Sequence, residues 1–597
     1  SNIEAKNIFV LTFMESAARN FRERIKAKYP DLAELPNIST IHGLALRIIK
    51  ENNNYSYLGL DYDFEIVDDI KRASILNEVL ILNNISFDKS ELYDRAISAY
   101  KNELSLYDNY KTQNKLFLNV YNEYQKKLKE QNLIDYDDLL LYSLKLLKEN
   151  KDILNYYQDL AHVIIEDEAQ DSSYVQQSLI KLLGAKHNNI IRCGDINQAI
   201  TSTFTNSDPK GFKDFMTQSL NVVMDRCQRC ATGVLDCANN TVEYSKLNHI
   251  EAFSDLVMKP VEDKNIVDKN AVEFEIFDVE KDEKKFIIKK IKEILKEDKN
   301  ATIAILLRSN FAIENYVNLM KEHSIKTYRN SDSLINNSLY RVVVLILEFI
   351  KDPYDLKIVC DIAKELYELG YYTIQSFNYA QNLKGPLFLA SDFDEPLYWD
   401  LTYFLFKNHS SIYDLVYEIG EFYFSRSSQK ANIPLIAAMA QKISQSAKTF
   451  ENTVLKLREI QHKLNFSNIK FYSLEDNTQK ASYTQVMTLH KSKGDEFDYV
   501  FIPELTQENL CLSKNELRLK ENTKFIQKVK YIPKSDDELK KEIIEENLRL
   551  IYVGITRAKK KLYLSCAQKY KYFSKMRETK PTQLFEGLEE IWLKNQK

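Results

Sequence analysis

Apolar and polar positions follow two rhythms along this chain. "NIFVLTF" (7–13) is a short apolar run that predicts a buried strand, and "ESAARNFRERIKAKY" after it has the three- and four-residue spacing of a helix. From about 66 to 150, Leu, Ile and Tyr recur at helical spacing without strand alternation. Strand patterns return at "HVIIEDE" and "NIIRCGD". A second block opens near 272 with "VEFEIFDV", a charged helix over 282–297, and "ATIAILLRS". The stretch 338–465 is again helical; "TQVMTLH", "YVFIPEL" and "KLYLSC" then read as strands, the last after a helix near 540–558. The pattern predicts an α/β protein with two parallel-sheet domains, each interrupted by a mainly helical insertion.

Composition narrows the class. With 597 residues, 44% hydrophobic and 28% charged, this is an ordinary globular balance with room for several domains. The longest apolar run, "VVVLILEFI" at 342–350, is too short to cross a bilayer, so no membrane partner is expected. No signal-peptide pattern opens the chain, and seven cysteines, an odd number, suggest no disulfide framework. A cytoplasmic location is the expectation. A net charge of −4 means that any nucleic acid would need a local basic track.

The candidate chemistry starts at "VIIEDEAQDSS" (163–173). Three β-branched residues lead straight into Glu166, Asp167, Glu168 and, shortly after, Asp171. Carboxylates at the end of a parallel strand sit where α/β sheets put ligands, and they repel unless a cation lies among them. Mg²⁺ carrying nucleotide phosphates is one such cation; a solvated acidic loop is the competing reading. "IIRCGDINQAI" (190–200) is a second strand, ending in Gly194, Asp195 and Gln198. Gly194 would let backbone approach a ligand. Asp167 would hold Mg²⁺, Glu168 would orient or deprotonate water, and Gln198 would offer an amide to phosphate or water.

These stretches, taken in order, resemble UvrD/Rep-type superfamily 1 DNA helicases. "VLTFMESAARNFRERI" (10–25), "STIHGLALRII" (39–49), "LIDYDDLL" (133–140), "IIEDEAQDSS", "GDINQAI", "TIAILLRSN" (302–310), "VMTLHKSKGDEFDYVFIPEL" (486–505) and "LRLIYVGITRAKKKLYLS" (548–565) are similar to segments of that family. The resemblance implies two RecA-like motor domains sharing one ATP with Mg²⁺. It puts the first at 1–65 and 151–265, interrupted by a helical insertion at 66–150. The second falls at 266–337 and 466–597, with an insertion at 338–465.

The resemblance also assigns roles. Arg557, with Tyr552, Thr556 and Ala558 in register, implies an arginine finger. Glu496 matches a ribose-binding residue; it follows Gly494 and an Asp495 where many relatives carry Leu. Asp195 belongs with the nucleotide contacts. In "RCQRCATGVLDCAN" (226–239), Arg229 keeps a γ-phosphate position while Gln228 replaces an adenine-stacking Tyr. Cys227, Cys230 and Cys237 in that stretch suggest a metal but lack a fourth ligand. Thr12, Phe13, Thr40, His42, Phe204, Thr488, His490 and Lys491 match positions that meet single-stranded DNA. The implied activity is 3′→5′ translocation on single strands and at single/double-strand junctions, in repair, replication or defence.

One element is missing: no Gly-x-x-x-x-Gly-Lys-Ser/Thr phosphate loop occurs, and none of the 12 glycines precedes such a pair. In the family that loop lies just before the first of these segments. The expectation is an N-terminally shortened helicase, inactive as an ATPase without the loop. The alternative is a non-hydrolysing DNA-binding or scaffolding paralogue.

Overall fold

The computed structural model describes residues 3–32, 34–67, 69–106, 111–200, 207–329, 338–390, 394–425, 427, 430–447, 449–463, 484–531, 533–572 and 575–595. It divides into two compact units, Ser1–Tyr328 with Ala481–Lys597, and Arg329–Lys480.

The first sheet has the order Asn37–Thr40, Ile8–Thr12, Val163–Glu166, Ile190–Arg192, with every pair parallel. Its inner strands are apolar because helices cover both faces. On one face Phe9, Leu11 and Ile164 pack against Ile41, Leu44, Leu144 and Leu179 of three helices. On the other, Val10 and Ile38 meet Ala18 of helix Glu15–Lys28. Register sets Leu11 opposite Glu166 and Thr12 opposite Thr40. The strand ends that carry the candidate chemistry therefore share one edge.

The second sheet runs Thr327–Arg329, Thr484–Thr488, Ile303–Leu307, Phe497–Ile502, Ala558–Ala567, Val272–Phe277. Pairings from Thr484–Thr488 onward are parallel. Helix Asp536–Ile555 buries Leu548, Ile551 and Ile555 on one face. Helices Glu280–Glu297 and Asn310–Glu322 bury Ile287, Ile291, Ile313 and Tyr316 on the other.

The first insertion has its own core, in which Val79, Tyr93, Tyr100, Phe117 and Tyr124 meet. Phe525, Ile526 and Val529, far along the chain, join it; the Tyr93 and Phe525 rings lie 5.2 Å apart. Helix Tyr136–Glu149, inside the stretch expected to be insertion, packs with the first sheet through Leu139, Leu144 and Leu147. From Ser338–Lys351 to Phe450–Lys463 the regular elements of the unit Arg329–Lys480 are all helices, and Tyr340 ties its ends by donating to the Leu457 carbonyl (2.9 Å).

"LIDYDDLL" proves to be a lock between insertion and sheet. Asp135 caps helix Tyr136–Glu149 in a reciprocal box with Asp138. Both carboxylates hold Lys101, 1% exposed, each at 2.7 Å, and Tyr124 donates to Asp135 (3.0 Å). Burial, then the charge of Asp135, pushes the Asp138 carboxyl above the usual range. Such a group adds stability below its unfolded value and loses it as pH rises through its folded one.

Lys101→Met should therefore cost about 3–5 kcal/mol, because it removes the buried cation from Asp135 and Asp138 and leaves Asp135 only the Arg72 guanidinium at 3.8 Å. Asp138→Asn should be mild. Melting temperatures from pH 4 to 8 should show the parent losing stability relative to Asp138→Asn as pH rises. Parallel curves would mean that Asp138 is not held protonated.

Candidate functional site

The acids after strand Val163–Glu166 divide by burial. Glu166 points inward, paired with the Arg192 guanidinium and accepting from the Ser172 hydroxyl. Asp171 is also buried and takes the Lys493 ammonium at 2.6 Å. Only Asp167 and Glu168 remain half-buried at the sheet edge. Burial, then Glu168, raises the Asp167 pKa, and no cation pairs with it among the described residues. Glu168 sits at φ +54°, a left-handed conformation costly for a non-glycine residue and frequent at functional sites.

Gln170, fully buried, links the two acidic segments. Its Nε2 donates to Glu168 (2.5 Å), and its Oε1 accepts from the Asp195 backbone N–H (3.0 Å). The ligand approach expected at Gly194 is instead taken by protein. A Cβ there would stand 2.5 Å from Gln170 Oε1 and 3.0 Å from the Phe212 ring. Asp195 caps the turn Ile196–Gln198 and accepts from Gln198 Nε2 at 2.7 Å, which fixes the way the Gln198 amide faces.

Three cations of the second α/β domain converge on that turn. Lys493 donates to the Gln198 carbonyl (2.8 Å) and Arg549 to the Ala199 carbonyl (2.6 Å). Arg557 Nη2 donates to Gln198 Oε1 (3.2 Å), while its other nitrogens reach the carbonyls of Val553 (3.0 Å) and Asp495 (3.1 Å). Burial, then Arg229, pulls the Arg557 pKa down to about 10, so it stays charged at neutral pH.

Helix Thr232–Leu247 packs into the core of the second sheet, so the stretch 226–247, expected in the first motor domain, belongs with the second, and so does Arg229. Arg229 donates to Glu496 (2.8 Å) and to the Thr556 carbonyl (3.4 Å), so the two expected nucleotide contacts, Arg229 and Glu496, here hold each other. Gln228 is exposed and accepts from Lys264 (2.8 Å). Gly494 stands at φ +89° with open space where a Cβ would be, so its small size serves the backbone turn. The metal reading of Cys227, Cys230 and Cys237 is not supported: Cys237 is buried in helix Thr232–Leu247, and no group of three ligating side chains occurs among the described residues.

The expected DNA contacts fall at strand ends. Phe13 is 38% exposed. Thr12, expected to offer its hydroxyl, is buried and donates to the Met14 carbonyl (2.9 Å), which shapes the loop that presents Phe13. Thr40 and Thr488 both cap the turns after their strands, accepting from Gly43 (3.0 Å) and Lys491 (3.3 Å) backbone N–H groups. His42 lies edge-on to the exposed Tyr136 ring at 5.9 Å, and burial lowers its pKa, so it is neutral at pH 7. His490 and Lys491 are half-buried. Phe204 lies outside the described residues.

Residues 1–219 match the UvrD/REP helicase N-terminal domain, and residues 403–569 the UvrD-like helicase C-terminal domain. The chain belongs to the UvrD/Rep helicase family. Among its relatives, the probable DNA helicase II homolog of Rickettsia conorii is 26% identical, over 97% of this chain and 88% of that protein. The ATP-dependent DNA helicase PcrA of Staphylococcus aureus is 24% identical, over 100% and 81%. The ATP-dependent DNA helicase Rep of Buchnera aphidicola is 26% identical, over 100% and 90%.

Sequence reasoning had passed over Gln170, Lys493 and Arg549 within these helicase segments. Gln170 stands in "DEAQD" and carries a signal, a polar side chain two residues after a candidate catalytic acid. The two cations reveal themselves only through partners 295 and 350 residues away.

Lys493→Met should leave the buried Asp171 carboxylate without that cation and speed amide exchange across 195–199. Adding Asp171→Asn should recover much of the loss, since a neutral pair is less costly than one buried charge. Exchange measured by mass spectrometry decides; additive effects would show that the two residues act independently.

Proposed function

We propose that this chain is a UvrD-type DNA helicase that moves 3′→5′ along single-stranded DNA, driven by ATP with Mg²⁺. It would act at single/double-strand junctions, in repair, replication or defence, in the cytoplasm. The observation that carries this reading is the continuous hydrogen-bonded path Glu168–Gln170–Asp195–Gln198–Arg557, which couples the edge of one RecA-like sheet to a cation of the other.

In this reading Asp167, which no cation faces among the described residues, holds Mg²⁺; the ion supplies positive charge to the phosphates and relieves the crowding of Asp167 and Glu168. Glu168 orients water or takes its proton, and Gln198, its amide fixed by Asp195, positions that water. Arg557 and Arg229 meet charge developing on the γ-phosphate, and Glu496 holds the ribose. The Arg557–Gln198 and Arg229–Glu496 contacts are the ones a nucleotide would replace, and because the first of them spans the two motor domains, occupancy would be felt at their interface. Gln228, bonded to Lys264, offers weaker base contact than an aromatic ring. Phe13 stacks on a base, and Thr40, His42, Thr488, His490 and Lys491 line the strand's path.

Hydrolysis also needs a phosphate loop, which these 597 residues do not contain. An open sheet edge supports its arrival on an additional strand. Ile190–Arg192 is the outer strand of the first sheet with Ile191 48% exposed, while Leu220, Val222 and Met224, outside any strand, are 96%, 85% and 86% exposed. An outer strand with an exposed apolar residue favours strand addition, and the exposed run 220–224 is apolar as well. The second reading, a non-hydrolysing DNA-binding or scaffolding protein, rests on the same missing loop.

Phosphate release on a poly-pyrimidine strand separates the two. The 597-residue chain should turn over negligibly, and a chain extended at its N-terminus with a strand and phosphate loop should show DNA-stimulated hydrolysis that Glu168→Gln abolishes. Silence from the extended chain favours the second reading, and robust turnover by the short one would mean the phosphate site lies elsewhere.

Single-stranded DNA should bind in a salt-sensitive way, and Phe13→Ala should weaken it by about 1–3 kcal/mol. Unchanged affinity at fixed salt would remove Phe13 from the track.

A further inference from the structure

The segment after strand Phe497–Ile502 departs from the charge balance of the chain. Residues 513–531 carry six cations, Lys514, Arg518, Lys520, Lys524, Lys528 and Lys530, against two acids, Glu516 and Glu521, in a protein of net charge −4. Lys524 has Asp536 at 3.7 Å. Lys514, Arg518, Lys520 and Lys528 are exposed, and no acid pairs with them among the described residues.

Apolar side chains fix this segment at both ends. Leu510, Leu512 and Leu517 pack in the core of the second sheet, and Phe525, Ile526 and Val529 in the core of the first insertion. Thr112 of that insertion donates to the Lys528 carbonyl (3.3 Å). Arg518 and Lys520 lie in the stretch that crosses from one anchor to the other. Both anchors are rooted beside candidate DNA contacts. Strands Phe497–Ile502 and Thr484–Thr488 each pair in parallel with Ile303–Leu307, so the segment leaves the sheet on the edge where Thr488 caps its turn. The insertion joins the first sheet through helix Tyr136–Glu149, and the Tyr136 ring lies against His42, just past strand Asn37–Thr40.

We propose that residues 513–531 form a phosphate-binding crossing for single-stranded DNA, with Lys514, Arg518, Lys520 and Lys528 meeting the sugar–phosphate backbone. The proposal rests on the single-strand reading above and adds to it a contact outside the two sheets. A row of unpaired cations suits a polymer of phosphates, whose released counterions drive binding. Anchoring the backbone at both ends lowers the ordering cost of that binding. Tyr531, 52% exposed, follows the last of these cations by three residues. Rings interleaved with cations make sequence-tolerant single-strand sites, because unpaired bases offer faces that a duplex hides. Phosphate contacts of this kind position the strand and read no sequence.

Changing Lys514, Arg518, Lys520 and Lys528 together to Gln tests the crossing. Affinity for fluorescein-labelled oligo-dT is read by anisotropy across a salt series. Each lost phosphate contact lowers the slope of log affinity against log salt by about 0.7, so four should lower it by about 3. Arg518→Gln with Lys520→Gln should lower it by about half as much. Lys285, Lys289, Lys292 and Lys296, exposed on helix Glu280–Glu297, control for net charge: changed together to Gln, they should leave the parent slope. Tyr531→Ala should weaken oligo-dT binding without changing the slope. Equal losses in the segment and helix variants, or a parent slope in both segment variants, would overturn the proposal. A loss confined to blunt duplex DNA would overturn its assignment to the single strand. No binding of oligo-dT by the parent would sink the DNA reading itself. Binding that Phe13→Ala weakens but the segment variants keep in full would sink this crossing alone.

Discussion

The Lys493 ammonium and the guanidinium groups of Arg549 and Arg557 all end on one short stretch of the first motor domain, Gln198–Ala199. Removing such charges from water is expensive, and it is tolerable because backbone and amide oxygens stand ready to accept from each. The rest of the site is arranged around that stretch. Asp195 turns the Gln198 amide so that its oxygen faces Arg557, and Gln170 holds both the Asp195 N–H and the Glu168 carboxylate. A shift of Glu168 must therefore be accommodated within a few hydrogen bonds of the domain boundary. That is coupling through contiguous contacts, in which each step has a named donor and acceptor.

The acidic cluster illustrates why such a site keeps only part of the charge that its sequence displays. Glu166 and Asp171 spend their charge inside the protein, on Arg192 and Lys493. Asp167 and Glu168 stay half-buried at the edge, where Glu168 raises the Asp167 pKa while the Lys493 ammonium stands 3.9 Å from Glu168, and the backbone at Glu168 is left-handed. The buried pair builds the loop, and the half-buried pair is what a ligand would meet.

Much of the fold was legible because buried parallel strands must be apolar runs: "NIFVLTF", "HVIIEDE" and "ATIAILLRS" all became inner strands. Periodicity also marked Tyr136–Glu149 as a helix, but not the core it would join, because an apolar stripe does not name its partner. Burial separated Glu166 from Asp167, and adjacent acids in a sequence give no sign of which one turns inward. Thr12 was misread for a related reason: its motif position suggested exposure, yet the strand carries it one residue further into the core before the chain emerges at Phe13.

Phe525, Ile526 and Val529 carry a further consequence. They grow from the second motor domain yet lie in the core of an insertion rooted in the first. The motor domains are thus spanned twice, once through the cleft at Gln198 and once through this apolar anchor, and the second span works as a strut. If the cleft opens with the insertion fixed to the first domain, those side chains must leave their core, at about 1.5–3 kcal/mol for the buried Val529 and less for the half-buried Phe525 and Ile526. If they stay, the insertion swings with the second domain and the lock at Lys101 becomes the hinge's neighbour. Either way the force of a stroke has two load paths, and the stiffness of the machine is set partly at a distance from the carboxylates.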